Sequence, residues 1–341
     1  MTKIKIFSAL LIVLSIIAVL VTVLPGRKDK EPQPQPSTSG ISKVFEQNPV
    51  LSAIPTANQS AVWFFNQTGR LFRYDLTTNQ LTEFSLPPVS GEFRQSIWPA
   101  VGSDFIVFSL VNGFEVKKYY NYSDKNFFTL PENVKSIDWL PDGKRVVYIW
   151  QSGDNKQQHL IVANPDTSGF KVIREVFWPD LTVKASPDGR RVLLLRSEVE
   201  ETNKIYLADI NTGVFETLID EGKNVGVSWI GSDKFLFAQQ LPGQAYPKLF
   251  LYNFNNKIPV DLNIKSTLEK VMYDKDSLYA AVPKKDNSGD SFIKVNLTTF
   301  QQSIFYEPET SVRAKNLFFA QGKLFFVSTS DNSLYQITVN R

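Results

Sequence analysis

From residue 41 onward, apolar residues fall in short runs, several alternating with polar ones, and Gly, Pro, Asn or Asp interrupts each run. Nothing there holds the 3.6-residue apolar period of a long packed helix. Short β-prone runs cut by turn formers are the pattern of strands. The predicted fold class of this region is all-β.

Two segments nearly repeat each other: Trp139-Leu-Pro-Asp-Gly-Lys-Arg-Val-Val-Tyr148 and Ala185-Ser-Pro-Asp-Gly-Arg-Arg-Val-Leu-Leu194. Pro-Asp-Gly is a tight turn with a mechanism: Pro presets φ, Asp bonds the local backbone and Gly takes positive φ. Val101-Gly-Ser-Asp-Phe-Ile-Val-Phe108 and Ile230-Gly-Ser-Asp-Lys-Phe-Leu-Phe237 are degenerate versions. A second element recurs downstream, as in Arg70-Leu-Phe-Arg-Tyr-Asp75, Lys204-Ile-Tyr-Leu-Ala-Asp209 and Lys248-Leu-Phe-Leu-Tyr-Asn253. The unit therefore reads strand, tight turn, strand, variable loop, strand, turn, strand.

Spacing decides the architecture. Second strands are predicted to begin at Ala61, Asp104, Arg145, Arg191, Lys234, Ser277 and Lys323, at intervals of 43, 41, 46, 43, 43 and 46 residues. A period of 40–45 with four strands per unit is that of a propeller blade. Seven marks predict a seven-bladed β-propeller over residues 41–341. The last unit has only three strands of its own. Ile41-Ser-Lys-Val-Phe45 is left over before the first, so it is predicted to supply the missing outer strand and close the ring.

The N-terminus is of another kind. Ile6 to Leu24 is a run of 19 residues without a charge. As a helix it would span about 28 Å, the thickness of the hydrocarbon core of a bilayer. Residues 1–24 are read as a transmembrane signal-anchor α-helix preceding the propeller. The competing reading is a cleaved signal peptide; it needs a shorter apolar run and a small-residue cleavage site, and Thr22-Val-Leu-Pro-Gly26 is a poor one. Lys3 and Lys5 precede the run and Arg27, Lys28 and Lys30 follow it, so flanking charge does not set the orientation. A short basic tail before an apolar run behaves as a signal-anchor, which places the propeller outside the cytoplasm. Residues 25–40 hold Glu31-Pro-Gln-Pro-Gln-Pro36, a linker inclined to extended polyproline II.

Composition narrows the function. Aromatics make up 13% of the chain, with 26 Phe and 12 Tyr, which suits packed strands. Net charge is +3 and dispersed, without the basic stripe of a nucleic-acid binder. There is no Cys, hence no disulfide, thiolate metal site or cysteine nucleophile.

The Pro-Asp-Gly-Lys/Arg-Arg-Val repeat resembles the WD40-like repeat of TolB-type propellers, and also the propeller of dipeptidyl peptidase-type enzymes. The likeness is sharp only over residues 134–219, and a count of seven departs from the six blades usual in TolB-type proteins. It implies an envelope protein that works by binding. It carries over no functional residue, because the matched positions shape turns and strands.

Candidate chemistry is sparse. His159 is the single histidine, and Gly226-Val-Ser-Trp-Ile230 lacks the second Gly of a nucleophile elbow. Asp274-Lys-Asp276 and Asp286-Asn-Ser-Gly-Asp290 lack the ordered spacing of a calcium loop. No catalytic residue, metal or cofactor is assigned. Carboxylates drawn from distant blades would leave no local signal, so a glycan hydrolase or lyase stays as an alternative.

Binding is expected on the face shared by the loops between second and third strands and the connections between blades. Trp98, Trp178, Asp180 and Tyr246 are the predicted ligand-binding residues, with Glu198-Val-Glu-Glu201 and Gln151-Ser-Gly-Asp-Asn155 on the same face. The competing reading is that these rings plug the space between blades. Trp139 and Trp229 end first strands and are read as core. The predicted function is a membrane-tethered, extracytoplasmic, non-enzymatic scaffold for a protein or glycan partner. A structural subunit of an envelope complex is a further alternative.

Overall fold

Pro-Asp-Gly folds as its chemistry requires. Asp142 Oδ1 accepts the backbone N–H groups of Lys144 and Arg145 at 2.9 and 3.0 Å, and Gly143 adopts φ of 65°. Burial pushes the Asp142 carboxyl up, but these N–H groups and the Arg145 guanidinium outweigh it, and its pKa lies below the ordinary range. Asp188 and Gly189 repeat the arrangement one blade on.

The computed structural model describes residues 40–44, 49–154, 157–178, 180–196 and 203–338. Among them, seven four-stranded antiparallel sheets follow one another along the chain, a seven-bladed β-propeller. Blades 1 to 6 span residues 52–84, 92–129, 134–176, 181–219, 223–265 and 271–306. Blade 7 takes three strands from residues 314–338 and its outer strand from Ile41–Lys43, which pairs with Leu334–Thr338. The predicted closure is therefore present, in the register Ile41↔Ile337, Ser42↔Gln336, Lys43↔Tyr335.

Second strands begin at Ala61, Phe105, Val146, Arg191, Lys234, Ser277 and Lys323. Five match the sequence-based marks. In blades 2 and 3 the strand starts one residue later, because Asp104 and Arg145 still belong to the turn. The predicted membrane helix and the linker, up to residue 39, lie outside the described residues. Among the described residues no helix is long and apolar enough to cross a membrane.

The core lies between blades. Val147, Ile149, Leu160 and Val162 of blade 3 pack on Val183, Val192, Leu194 and Tyr206 of blade 4. At the closure, Phe318, Phe325 and Val327 of blade 7 meet Val62, Phe64 and Phe72 of blade 1. Middle strands are thus buried on both faces and read as continuous apolar runs, such as Phe105–Val111. Outer strands such as Leu81–Phe84 have one face in water and are mostly exposed.

Polar groups join neighbouring first strands. Trp139 gives its indole N–H to Ile97 O of blade 2 (3.2 Å), and Trp229 gives its own to Lys184 O of blade 4 (2.9 Å). Ser136 and Asp138 of blade 3 accept the N–H groups of Val183 and Ala185 in blade 4, each at 3.0 Å. Trp139 is buried in the interface of blades 2 and 3, as expected for core.

A Cβ on Gly143 would lie 2.0 Å from Val101 O in blade 2, whereas one on Gly113, at φ of 84°, would meet nothing within 4 Å. Gly113→Ala is expected to cost the roughly 1–2 kcal/mol of left-handed strain alone. Gly143→Ala is expected to cost clearly more, because the blade 2 turn must also move. Chemical denaturation of the two variants measures the difference.

Candidate functional site

Strand direction gives the ring two rims. The upper rim holds the loops between second and third strands and the connections between blades. The lower rim holds the turns between first and second and between third and fourth strands. The candidate face is the upper one.

Trp178 and Asp180 lie on it, in the connection from blade 3 to blade 4. Trp178 stacks on Tyr206 at 4.5 Å between centroids and on Phe215 at 5.5 Å, against the core between blades 3 and 4. It fills the space between blades, while its neighbour Phe177 is 74% exposed. Asp180 is exposed, at φ of 54°.

Tyr246 also lies on the upper rim, between the second and third strands of blade 5. Its ring sits 5.8 Å from Lys270 Nζ. Lys270 forms a buried ion pair with Asp290 at 2.9 Å, and Asp290 accepts the N–H of Ala314 at 2.8 Å. Tyr246 thus covers a charge pair that joins the connection into blade 6 to the first strand of blade 7.

Trp98 is a correction. It follows the first strand of blade 2 (Glu92–Ile97), so it belongs to the lower rim. The structure therefore does not bring the four predicted residues onto one face. Glu198–Glu201 and Asn155 lie outside the described residues. His159 is half-buried in a third strand, 5.8 Å from the ring of Trp150.

The upper rim does hold a groove of about 670 Å³ that includes Asp180. Its charged lining alternates in sign: Glu115, Lys117, Glu132, Lys135, Asp180 and Lys184. Phe114, 77% exposed, stands at its edge. Lys117 is buried along its stem, with Nζ 2.6 Å from Glu115 and 5.7 Å from the ring centroid of Phe108. Phe114 went unassigned in the sequence, although a signal was present. Asn112-Gly113 just before it is a two-residue hairpin turn, with φ of 52° and 84°, and it presents the next side chain at the tip.

Nearer the axis is a cavity of about 440 Å³ whose lining includes Ser52, Ser96, Asp138, Glu269 and Asn316. Burial raises the Asp138 carboxyl above its usual range; Lys184 and the N–H groups of Ala185 and Trp139 oppose this. Its two oxygens accept those N–H groups, so Asp138 is engaged in joining blades rather than poised for proton transfer. Among the described residues, no three His, Cys, Asp or Glu side chains converge as a metal site would require.

No family model matches the chain, and no curated protein matches it. Solved structures do. An oligogalacturonate lyase in complex with manganese is 12% identical, with a TM-score of 0.64 over 91% of this chain and 96% of that one. An oligogalacturonate lyase from Vibrio parahaemolyticus is 11% identical, with a TM-score of 0.65 over 90% and 95%. The WD40 repeats of RRP9 are 9% identical, with a TM-score of 0.62 over 89% and 98%. At these identities the likeness establishes the fold alone. The chain is a β-propeller of WD40-like build.

Removing one partner of a buried ion pair leaves the other charge uncompensated, at about 3–5 kcal/mol. Asp290→Ala is expected to destabilise the ring by that amount. Lys270→Met with Asp290→Asn, which removes both charges and keeps an acceptor for Ala314, is expected to recover most of it. Equilibrium unfolding of the single and double variants checks this.

Proposed function

We propose that this chain is a membrane-tethered, extracytoplasmic scaffold that binds a protein partner in its upper groove. The observation that carries the reading is the groove itself, with alternating charges around apolar walls and Phe114 exposed at the edge. Charges of both signs over a partly apolar floor suit a folded polypeptide surface, and they fix register more than they add affinity.

The tether rests on the uncharged run from Ile6 to Leu24. Third strands run from upper to lower rim, and Ile41–Lys43 is antiparallel to the third strand of blade 7. Ile41 therefore starts at the lower rim. The extracytoplasmic side rests on the signal-anchor reading of the basic tail. The finer likeness to TolB-type repeats rests on the two Pro-Asp-Gly turns and agrees with a binding role in the envelope.

The test uses the full-length chain in lipid nanodiscs, presented to envelope extract. The expected result is a defined protein that is retained by the wild type and lost with Phe114→Asp or Lys135→Glu. Recovery of nothing, together with turnover of a glycan panel, would contradict the scaffold and favour an enzyme.

A further inference from the structure

On the lower rim, two devices seal the seams between blades 2 and 3, 3 and 4, and 4 and 5. Gly143 of blade 3 presses on the Val101 carbonyl of blade 2, and a Cβ on Gly189 of blade 4 would be 3.1 Å from Pro141 of blade 3. Trp139 and Trp229 each bond a carbonyl of the preceding blade.

Blade 2 departs from both. Its turn carries Val-Gly-Ser-Asp in place of Pro-Asp-Gly. A Cβ on Gly102 would meet only Pro99 of the same turn, at 3.7 Å. Trp98 stands where Trp139 and Trp229 stand in their blades, directly after the same strand position. It gives its N–H to Ser96 Oγ of its own strand, at 2.9 Å. Trp98 reaches blade 1 by stacking its ring on Trp63 instead, and beside that contact the two turns leave a slot of about 630 Å³. That is the size range of sites for small ligands.

We propose that this slot is a binding site for an uncharged oligosaccharide. One wall is the register row Ile54–Trp63–Arg73 of blade 1, and the other is the turn beginning at Trp98 and Pro99. Trp63 is held rigidly, stacked on Trp98 (6.1 Å, 20°) and edge-on to Phe84 (5.4 Å, 85°). A fixed, partly exposed indole offers the flat apolar face on which the C–H face of a pyranose packs. The mouth is the loop Thr56 to Ser60. There Asn58 Oδ1 accepts Thr56 Oγ1 and Ser60 Oγ at 2.8 Å and Ser60 N at 3.1 Å. The carbonyl side of Asn58 is thereby fixed, and its amide N–H groups remain to donate to sugar hydroxyls.

Charge selects within the saccharides. Among the described residues no carboxylate lines the slot and Arg73 is its one cation, which already pairs with Asp75 at 3.3 Å. An anionic sugar would gain little from Arg73, whose charge is already offset by Asp75, itself held in place by the N–H groups of Thr77 and Thr78. A neutral sugar meets hydroxyl, amide and indole groups and needs no such pairing. The slot is on the rim opposite the upper groove, so neither reading depends on the other.

The test is titration of cellotetraose, chitotetraose and tetragalacturonate into the full-length chain, read by calorimetry and tryptophan fluorescence. Saturable binding of a neutral tetrasaccharide is expected, weakened by roughly tenfold or more in Trp63→Ala and Asn58→Ala. Asn58 is exposed and its three bonds stay within the loop Thr56 to Ser60, so Asn58→Ala should melt close to the wild type; it decides the matter if Trp63→Ala loses stability. The proposal is overturned if neither neutral sugar binds or tetragalacturonate binds more tightly. It is also overturned if a proline-rich decapeptide takes the site in place of the sugars. Neutral-sugar binding that both variants leave unchanged would overturn this site while leaving the upper-groove reading intact.

Discussion

A four-stranded sheet with two apolar faces cannot stand alone in water. Each blade here is such a sheet, and its neighbours in the ring cover its faces. Burial at about 25 cal/mol per Å² of apolar surface rewards every seam, but a row of blades would leave two faces bare. The ring therefore has to close. Here the first and last strands of the ring share one blade, with Ile41–Lys43 beside Leu334–Thr338.

That constraint explains what could be read from the sequence. Repetition of one burial problem writes one pattern repeatedly, so the period, the strand count and the closing segment were all visible. The two marks that fell one residue early, Asp104 and Arg145, did so because polar turn residues merge into strand starts. Trp98 was misplaced for a different reason. A Trp-Pro pair looks like a loop signature, but the position after a first strand belongs to the lower rim, and only a fixed register assigns it. The groove was illegible because its lining comes from the loops of blades 2, 3 and 4, which are far apart in sequence. No local motif records such a meeting.

The same seams separate structural residues from those free to bind. Trp178 and Tyr246 looked like recognition residues and are occupied, one by stacking and one over the Lys270–Asp290 pair. Where a seam is sealed, its aromatic and charged groups are spent on blade contacts. Between blades 1 and 2 on the lower rim, where neither the glycine contact nor the indole-to-carbonyl bond is made, similar groups line a slot.

The ring depends on Ile41–Lys43 as the outer strand of the last blade. Ser42 Oγ and Gln336 Nε2 are 3.1 Å apart in an exposed, directly opposed pair. The chain contains no cysteine, so within one molecule two introduced thiols can pair only with each other. Opposed residues on antiparallel strands have Cα separations within disulfide range. Mild oxidation of the Ser42→Cys/Gln336→Cys variant should form an intramolecular disulfide in nearly every molecule. Free thiols or disulfide-linked dimers after that treatment would contradict the closure, and with it the register on which both rims are defined.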